Sequence, residues 1–214
     1  MVLNENKIIY PPVSGIKKMK KGNNWNDHYT KKAKEENWLA RSVYKLEEID
    51  RKQRLIKNGD RVMDLGCYPG SWSQYIIKRV GKKGEVIGVD LFSPRKISDP
   101  NYKFIKGDIL NIDVELLVQE TGEVDLLASD MAPKTTGNNI TDCSRSLELA
   151  DKALDIALRL LKKDRHFLCK VFEGEDFIEF KNRVLKYFGQ VRLIRPSAVR
   201  KRSREIYLLG IRKI

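Results

Sequence analysis

The stretch that most constrains this chain is Val62–Trp72, VMDLGCYPGSW. Its apolar run ends in Asp64, a turn follows on Gly66, Pro69 and Gly70, and a helical pattern starts at Ser71. A strand that passes through a glycine-rich turn into a helix leaves backbone N–H groups free at the helix start. Glycines without a Cβ also let a ligand lie against the chain there. Many α/β proteins hold a nucleotide-like cofactor at this place, beyond the carboxyl end of the first strand. The dinucleotide fingerprint G-x-G-x-x-G does not fit, because Pro69 and Gly70 stand where its later glycines belong. A merely structural turn is the competing reading of the shape.

Strand and helix patterns alternate around this turn. Helical stretches at 29–36 and 37–56 precede it, the second carried by Leu39, Val43, Leu46, Ile49 and Ile56. Strands are expected at 61–65, 85–90, 102–105, 124–130 and 165–172, and helices at 71–80, 113–119, 144–161 and 176–188. The closing strands 190–194 and 205–211 have only the basic stretch 195–204 between them, so they are expected antiparallel, with the last inserted in the sheet. Such alternation gives a mainly parallel sheet covered by helices on both faces. The expectation is one α/β domain over 27–214 and a basic, flexible arm over 1–26, which holds Pro11, Pro12, Gly15 and the lysines of 17–21.

Composition narrows the function. No apolar run reaches membrane-span length, so a soluble protein is expected, and a monomer, since nothing suggests an obligate oligomer. Cys67, Cys143 and Cys169 lie far apart with no C-x-x-C pair, which argues against a metal site or disulfides and for a reducing intracellular compartment. The basic arm leaves an organelle as open as the cytoplasm or nucleus. The net charge of +13 is concentrated at the ends: residues 1–57 hold fourteen basic against seven acidic side chains, and 190–214 hold eight against one. Two basic ends around a nearly neutral, cofactor-holding centre fit a polyanion, with a merely solubilising lysine surface as the plainer alternative.

Asp64, Asp90, Asp108 and Asp130 each end a strand or follow one, which places acids along one edge of the sheet. Such acids often only cap the next turn. Together they suit a ligand with hydroxyls, amines and positive charge, and Asp90 stands where a carboxylate takes ribose hydroxyls. Lys170, inside the apolar FLCKVF, is the most informative single residue. Burying an ammonium is costly without compensation, so Lys170 is either paired with an acid such as Asp130 or held as a base. Alone, Glu205 reads as charge balance among arginines and Lys45 as a solvated helix residue.

Five motifs change that. ARSVYKLEEI (40–49), DLGCYPGSWSQ (64–74), SDMAP (129–133), KVFEGE (170–175) and SRE-Y (203–207) resemble, in order, the FtsJ family of RNA ribose 2′-O-methyltransferases. The resemblance implies the Rossmann-like S-adenosylmethionine-dependent methyltransferase fold, a mainly parallel seven-stranded sheet with the last strand antiparallel. It implies a catalytic Lys-Asp-Lys-Glu tetrad at Lys45, Asp130, Lys170 and Glu205, with Lys170 taking the 2′-hydroxyl proton. It implies S-adenosyl-L-methionine as cofactor and S-adenosyl-L-homocysteine as product. The cofactor residues would be Asp64, Gly66, Pro69, Gly70, Ser71, Trp72, Asp90, Asp108 and Asp130. The substrate it implies is large-subunit ribosomal RNA, at a uridine, within a large ribosomal subunit. The RNA grip would include Arg41, Arg195, Arg200, Lys201, Arg202 and Arg204, together with the lysines of 17–34. One departure is Cys67-Tyr68 where the family more usually has two alanines before Pro-Gly. A tRNA or mRNA-cap methyltransferase, a nicotinamide-dependent oxidoreductase and a non-catalytic ribosome-assembly factor are the other readings.

Overall fold

The computed structural model describes residues 24–94 and 97–214. The arm expected at 1–26 falls outside these up to residue 23, and 24–26 already belong to the first helix, α1 (Asn24–Glu35). Seven strands form one sheet: β1 (Arg61–Leu65), β2 (Glu85–Asp90), β3 (Tyr102–Lys106), β4 (Val124–Ser129), β5 (Leu161–Phe172), β6 (Phe188–Ile194) and β7 (Glu205–Lys213). Their order is β3-β2-β1-β4-β5-β7-β6. The first five run parallel, and β7 lies antiparallel between β5 and β6. The expected topology, including the inserted last strand, is therefore present.

Alternation along each strand sorts the core into two layers. Met63, Leu65, Leu127, Phe167 and Cys169 pack against α4 (Val114–Thr121), α5 (Asn139–Leu160) and α6 (Phe177–Leu185). Val62, Leu126, Leu168 and Tyr207 face the other way, onto α2 (Val43–Gln53) and α3 (Ser71–Val80) through Leu46, Ile49, Trp72 and Ile76. By the same parity, Asp64 and Lys170 point to the α2–α3 side.

Several boundaries differ from expectation, two of them for a clear local reason. The helix expected over 37–56 starts only at Val43. Asn37 takes a left-handed conformation (φ 61°), and the Trp38 N–H donates to the Ala33 carbonyl at 2.8 Å, closing α1 in a Schellman-type turn. Helix α5 begins five residues early, at Asn139, because the Asn138 side chain accepts from the Ile140 and Thr141 N–H groups at 3.0 and 3.2 Å. The polar first turn of α5 gave no apolar period to read. Strand β5 begins at Leu161, directly after α5, rather than at Arg165.

Helices α2 and α3 are joined by one buried carboxylate. Asp50, 1% exposed, accepts from the Ile56 N–H and the Tyr75 hydroxyl, both at 2.9 Å, and from Arg79 Nε at 3.0 Å. Removing it strands two side-chain donors and a backbone N–H. Asp50→Ala is expected to cost about 3 kcal/mol, read as a lower urea midpoint by circular dichroism. A loss below about 1 kcal/mol would show that the packing of α2 on α3 does not need this clamp.

Candidate active site

The strand ends bring four charged side chains together. Lys170, near the end of β5, sends its ammonium across to Asp130, just past β4: Nζ donates to the Asp130 backbone carbonyl and, at 3.0 Å, to Oδ1. Lys45 reaches in from the first turns of α2, 2.6 Å from Glu205 Oε1 and 3.8 Å from Asp130 Oδ1. Tyr207, two residues beyond Glu205 and so on the same side of β7, places its hydroxyl 2.6 Å from Asp130 Oδ1 and 3.1 Å from Glu205 Oε1. Two cations, two carboxylates and one phenol thus form a closed, nearly buried set, with the Lys45 and Lys170 side chains 11% and 5% exposed. All four residues of the expected tetrad converge.

The electrostatics follow from that arrangement. Burial pushes the Asp130 carboxyl up, but the Lys170 and Lys45 charges and the Tyr207 hydroxyl outweigh it, so its pKa is lowered and it stays ionised. Burial and the Asp130 and Glu205 charges push the Tyr207 phenol well above its ordinary range. Tyr207 therefore remains a donor. Sequence reasoning had no role for it, although its parity with Glu205 was the available signal.

Beside this set lies a cavity of about 340 Å³ to which Asp130 also contributes. Asp90, Asp108, Gly66 and Tyr68 line it with the apolar Leu91 and Ile109. Both Asp90 oxygens accept backbone N–H bonds, from Tyr68 at 2.9 Å and Phe92 at 3.0 Å. Asp108 accepts from the Leu110 N–H at 3.1 Å and from Asn111 Nδ2 at 2.8 Å. The two acids cap their turns and keep lone pairs for a ligand, so the structural and functional readings hold together. Acceptors for hydroxyls and an amine, set among apolar walls, fit the adenosine part of S-adenosylmethionine. Tyr68, at the departure from the family pattern and so expected to reshape the pocket slightly, lines it; Met131 and Leu149 were not foreseen as lining residues.

Other expected cofactor residues lie elsewhere. Trp72 is buried in the core, its indole N–H donating to the Ser42 carbonyl at 2.9 Å and its ring 5.9 Å from that of Tyr207. Ser71 Oγ is 2.9 Å from Ser42 Oγ. Both residues anchor the start of α2, and thus Lys45, rather than line the cavity. Pro69 and Gly70 also stand outside the lining. Gly70 takes a left-handed φ of 114°, which favours glycine without any ligand, and a Cβ there would also press on the movable ends of Ile97 and Leu39 at 2.7 and 2.9 Å. Gly66 (φ 76°) does line the cavity, where a Cβ would meet Met131 Cγ at 2.5 Å. Asp64 lies fully buried, accepting from Ser73 Oγ at 2.6 Å with its other oxygen unpartnered.

The basic residues form a rim. Arg195, Arg200, Lys201, Arg202 and Arg204 are exposed on the loop between β6 and β7. Arg195 pairs with Glu173 at 3.6 Å. Burial and the neighbouring Arg200 charge lower the Arg41 pKa while Glu205 raises it, which sets Arg41 beside both the rim and the tetrad. Among the described residues no group of three or more His, Cys, Asp or Glu side chains is placed to hold a metal ion, and no helix is long and apolar enough to cross a membrane.

Comparison with known proteins agrees with this geometry. A family model described as FtsJ-like methyltransferase matches residues 38–213. The chain is 50% identical over 193 residues to the ribosomal RNA large subunit methyltransferase E of Bdellovibrio bacteriovorus, covering 89% of this chain and 98% of that one. It is 46% identical over 193 residues to the protein of the same name from Desulfosudis oleivorans, covering 90% and 93%. A crystal structure assigned to a ribosomal RNA methyltransferase of Plasmodium falciparum superposes with a TM-score of 0.74 at 29% identity, covering 82% of this chain and 98% of that one.

Asp64 generates a pH prediction. Burial, with the Asp130 and Asp90 charges against the opposing Ser73 bond, raises its pKa to about 7. Unfolded, it titrates near the ordinary carboxylate value of about 4. Between these values the folded state binds more protons, so this site makes stability fall as pH rises from about 4 to about 7 and no further beyond. Asp64→Asn removes that titration. The melting temperature of the variant minus that of wild type, both cofactor-free, is expected to rise by several degrees across the window. A difference flat from pH 4 to 8 would refute the raised value.

Proposed function

The chain belongs to the FtsJ-like methyltransferase family, and from that premise we propose that it transfers a methyl group from S-adenosylmethionine to a ribose 2′-hydroxyl of large-subunit ribosomal RNA, at a uridine. The observation that carries the reading is the convergence of Lys170, Asp130, Lys45 and Glu205 at the edge of the cofactor-sized cavity, with Asp130 common to both. The relatives named above as large-subunit enzymes support the choice of RNA. The complete tetrad speaks against a non-catalytic assembly factor. The missing dinucleotide fingerprint, and a proton-shuttling set unlike the Tyr/Lys or His/Asp pairs of nicotinamide-dependent enzymes, speak against an oxidoreductase.

A ribose hydroxyl is a weak acid and a weak nucleophile, so the site must align it and receive its proton. S-adenosylmethionine supplies an electrophilic methyl on a sulfonium and leaves as S-adenosylhomocysteine. Asp90 and Asp108 would hold the cofactor, offering their remaining lone pairs to its hydroxyls and amine. Lys170 Nζ accepts the 2′-hydroxyl proton. A neutral amine has two N–H donors and one lone pair, and the Asp130 carbonyl and carboxylate supply two acceptors, so the lone pair is left for the hydroxyl. Lys45 offsets the carboxylate charge of Asp130 and Glu205 beside the reacting atoms. Tyr207 fixes Asp130 and Glu205 against rotation. The arginine rim grips phosphates, which positions the strand without reading bases and makes affinity fall steeply with salt.

The test is transfer of labelled methyl from S-adenosylmethionine to large ribosomal subunits, free ribosomal RNA and tRNA. Label is expected in a 2′-O-methylnucleoside of large-subunit RNA. Lys170→Ala is expected to lose roughly 10²–10⁴-fold in turnover while calorimetric affinity for S-adenosylhomocysteine changes little, since Lys170 does not line the cavity. Near-normal turnover in the variant would remove Lys170 as the base. Label confined to tRNA would replace the substrate.

A further inference from the structure

A second cavity, of about 210 Å³, opens next to the tetrad between the start of α5 and the turn that leads from β5 to α6. Its apolar walls are Ile140, Leu147, Phe172 and Phe177, and its polar rim includes Arg204 and Glu175. Phe172 lies two residues past Lys170 on β5, about 7 Å along the strand, and pairs with Glu205 across the sheet. Arg204 precedes Glu205 in the chain. The cavity thus begins within one nucleotide of the place where the proposed ribose reacts, on the far side of the β5 and β7 ends from Lys45.

The cavity is held in shape by its own bonds. The Cys143 thiol donates to the Glu173 carbonyl at 3.4 Å, and Arg204 Nη1 donates to Cys143 Sγ at 3.8 Å. The Glu173 N–H donates to the Arg204 carbonyl at 2.9 Å. A Cβ on Gly174 would come 2.8 Å from the Cys143 Cβ, so the floor closes only over a glycine. Arg204 is therefore an exposed flat cation at the lip of an apolar hollow, tied there by its backbone carbonyl and by one long contact to the Cys143 sulfur.

Chemistry then selects the occupant. A bare phosphate would meet apolar walls and the Glu175 and Asp176 carboxylates. A drug-sized ligand needs a pocket of roughly 300 Å³ or more. A single flat heterocycle with N–H donors suits the size, the apolar walls, the guanidinium face and the acids alike. We propose that this cavity receives an unstacked RNA base within one nucleotide of the reacting ribose, seated against the Arg204 guanidinium. The proposal rests on the RNA reading above and adds a base subsite to a site that otherwise grips only backbone.

The experiment measures equilibrium binding of an oligouridylate of about twelve nucleotides and of an abasic oligoribonucleotide of the same length. The full-length protein is used with S-adenosylhomocysteine present, and anisotropy of an end label is read. The two oligonucleotides share phosphates and riboses and differ only in bases. Wild type is expected to prefer the uridylate about tenfold. Arg204→Lys keeps the charge and loses the plane; Ile140→Ser alters an exposed wall without touching charge. In each, the preference is expected to fall to about threefold or less. Equal binding of both oligonucleotides by wild type would overturn the subsite. So would variants that weaken both alike, since that is the signature of a phosphate contact. Because binding is read without turnover, failure of methyl transfer would count against the proposed reaction and leave this result standing.

Discussion

A carboxylate cannot be kept ionised in a nearly closed site unless its surroundings supply the field that water would have supplied. Asp130 is that carboxylate, and much of the surrounding structure serves it. It takes the Lys170 ammonium from β5, the Tyr207 hydroxyl from β7 and the Lys45 charge from α2. Those partners come from three elements far apart in sequence. Their meeting requires β7 to be inserted beside β5, with Lys170 opposite Tyr207 in the register. It also requires α2 to be held down on the same side, which Trp72 does through Ser42 and Asp50 does through Tyr75 and Arg79. Had the last strand added at the sheet edge, Glu205 and Tyr207 would lie away from Asp130, which would then be an uncompensated buried charge.

The acids at the other strand ends show how a structural role and a binding role coexist. Asp90 and Asp108 each accept from the turn that follows them, which costs the chain nothing in binding capacity because a carboxylate has about four acceptor sites. The turn fixes the carboxylate in advance, so a ligand hydroxyl meets a pre-oriented acceptor. Asp64 is different. It sits one layer deeper, beneath the turn, with a raised pKa and one oxygen unpartnered. It supports the turn from below through Ser73 and stands apart from the cavity lining.

Much of this was legible in the chain. Hydrophobic alternation gave five parallel strands and the helices between them, and the absence of a helical pattern before Glu205 gave the antiparallel end. The tetrad was legible only through motif resemblance. Lys45 on a lysine-rich helix and Glu205 in an arginine run have nothing local to distinguish them, because what makes them special is a contact across 160 residues of chain. Trp72 stands outside the cavity lining for a related reason. Its neighbours Gly66 and Gly70 belong to the turn, but as the second residue of α3 it turns inward to the Ser42 carbonyl, and helix phase rather than motif membership decided its side. Gly70 shows the same limit: its positive φ explains the glycine without any ligand.

Charge divides the edge of the sheet between two kinds of ligand. Residues 58–140, which carry the cofactor-sized cavity, are slightly acidic on balance, whereas 190–214 hold eight basic side chains against one acid. A polyanion is therefore drawn to the β6–β7 loop and repelled from Asp90 and Asp108, while a ligand bearing positive charge experiences the reverse. The single acid of the basic segment, Glu205, is neutralised by Lys45 at 2.6 Å, so it does not spoil the rim. The tetrad lies at the boundary of the two regions, and it joins them without itself belonging to either field. With both lysines charged, its two cations and two carboxylates cancel, so the resting set attracts neither polyanion nor cation strongly. That resting balance has a consequence for the proposed reaction. The energy that brings RNA to the site comes from the rim and from whatever seats the strand beyond it, and the tetrad is left free to differentiate between the protonated and deprotonated hydroxyl.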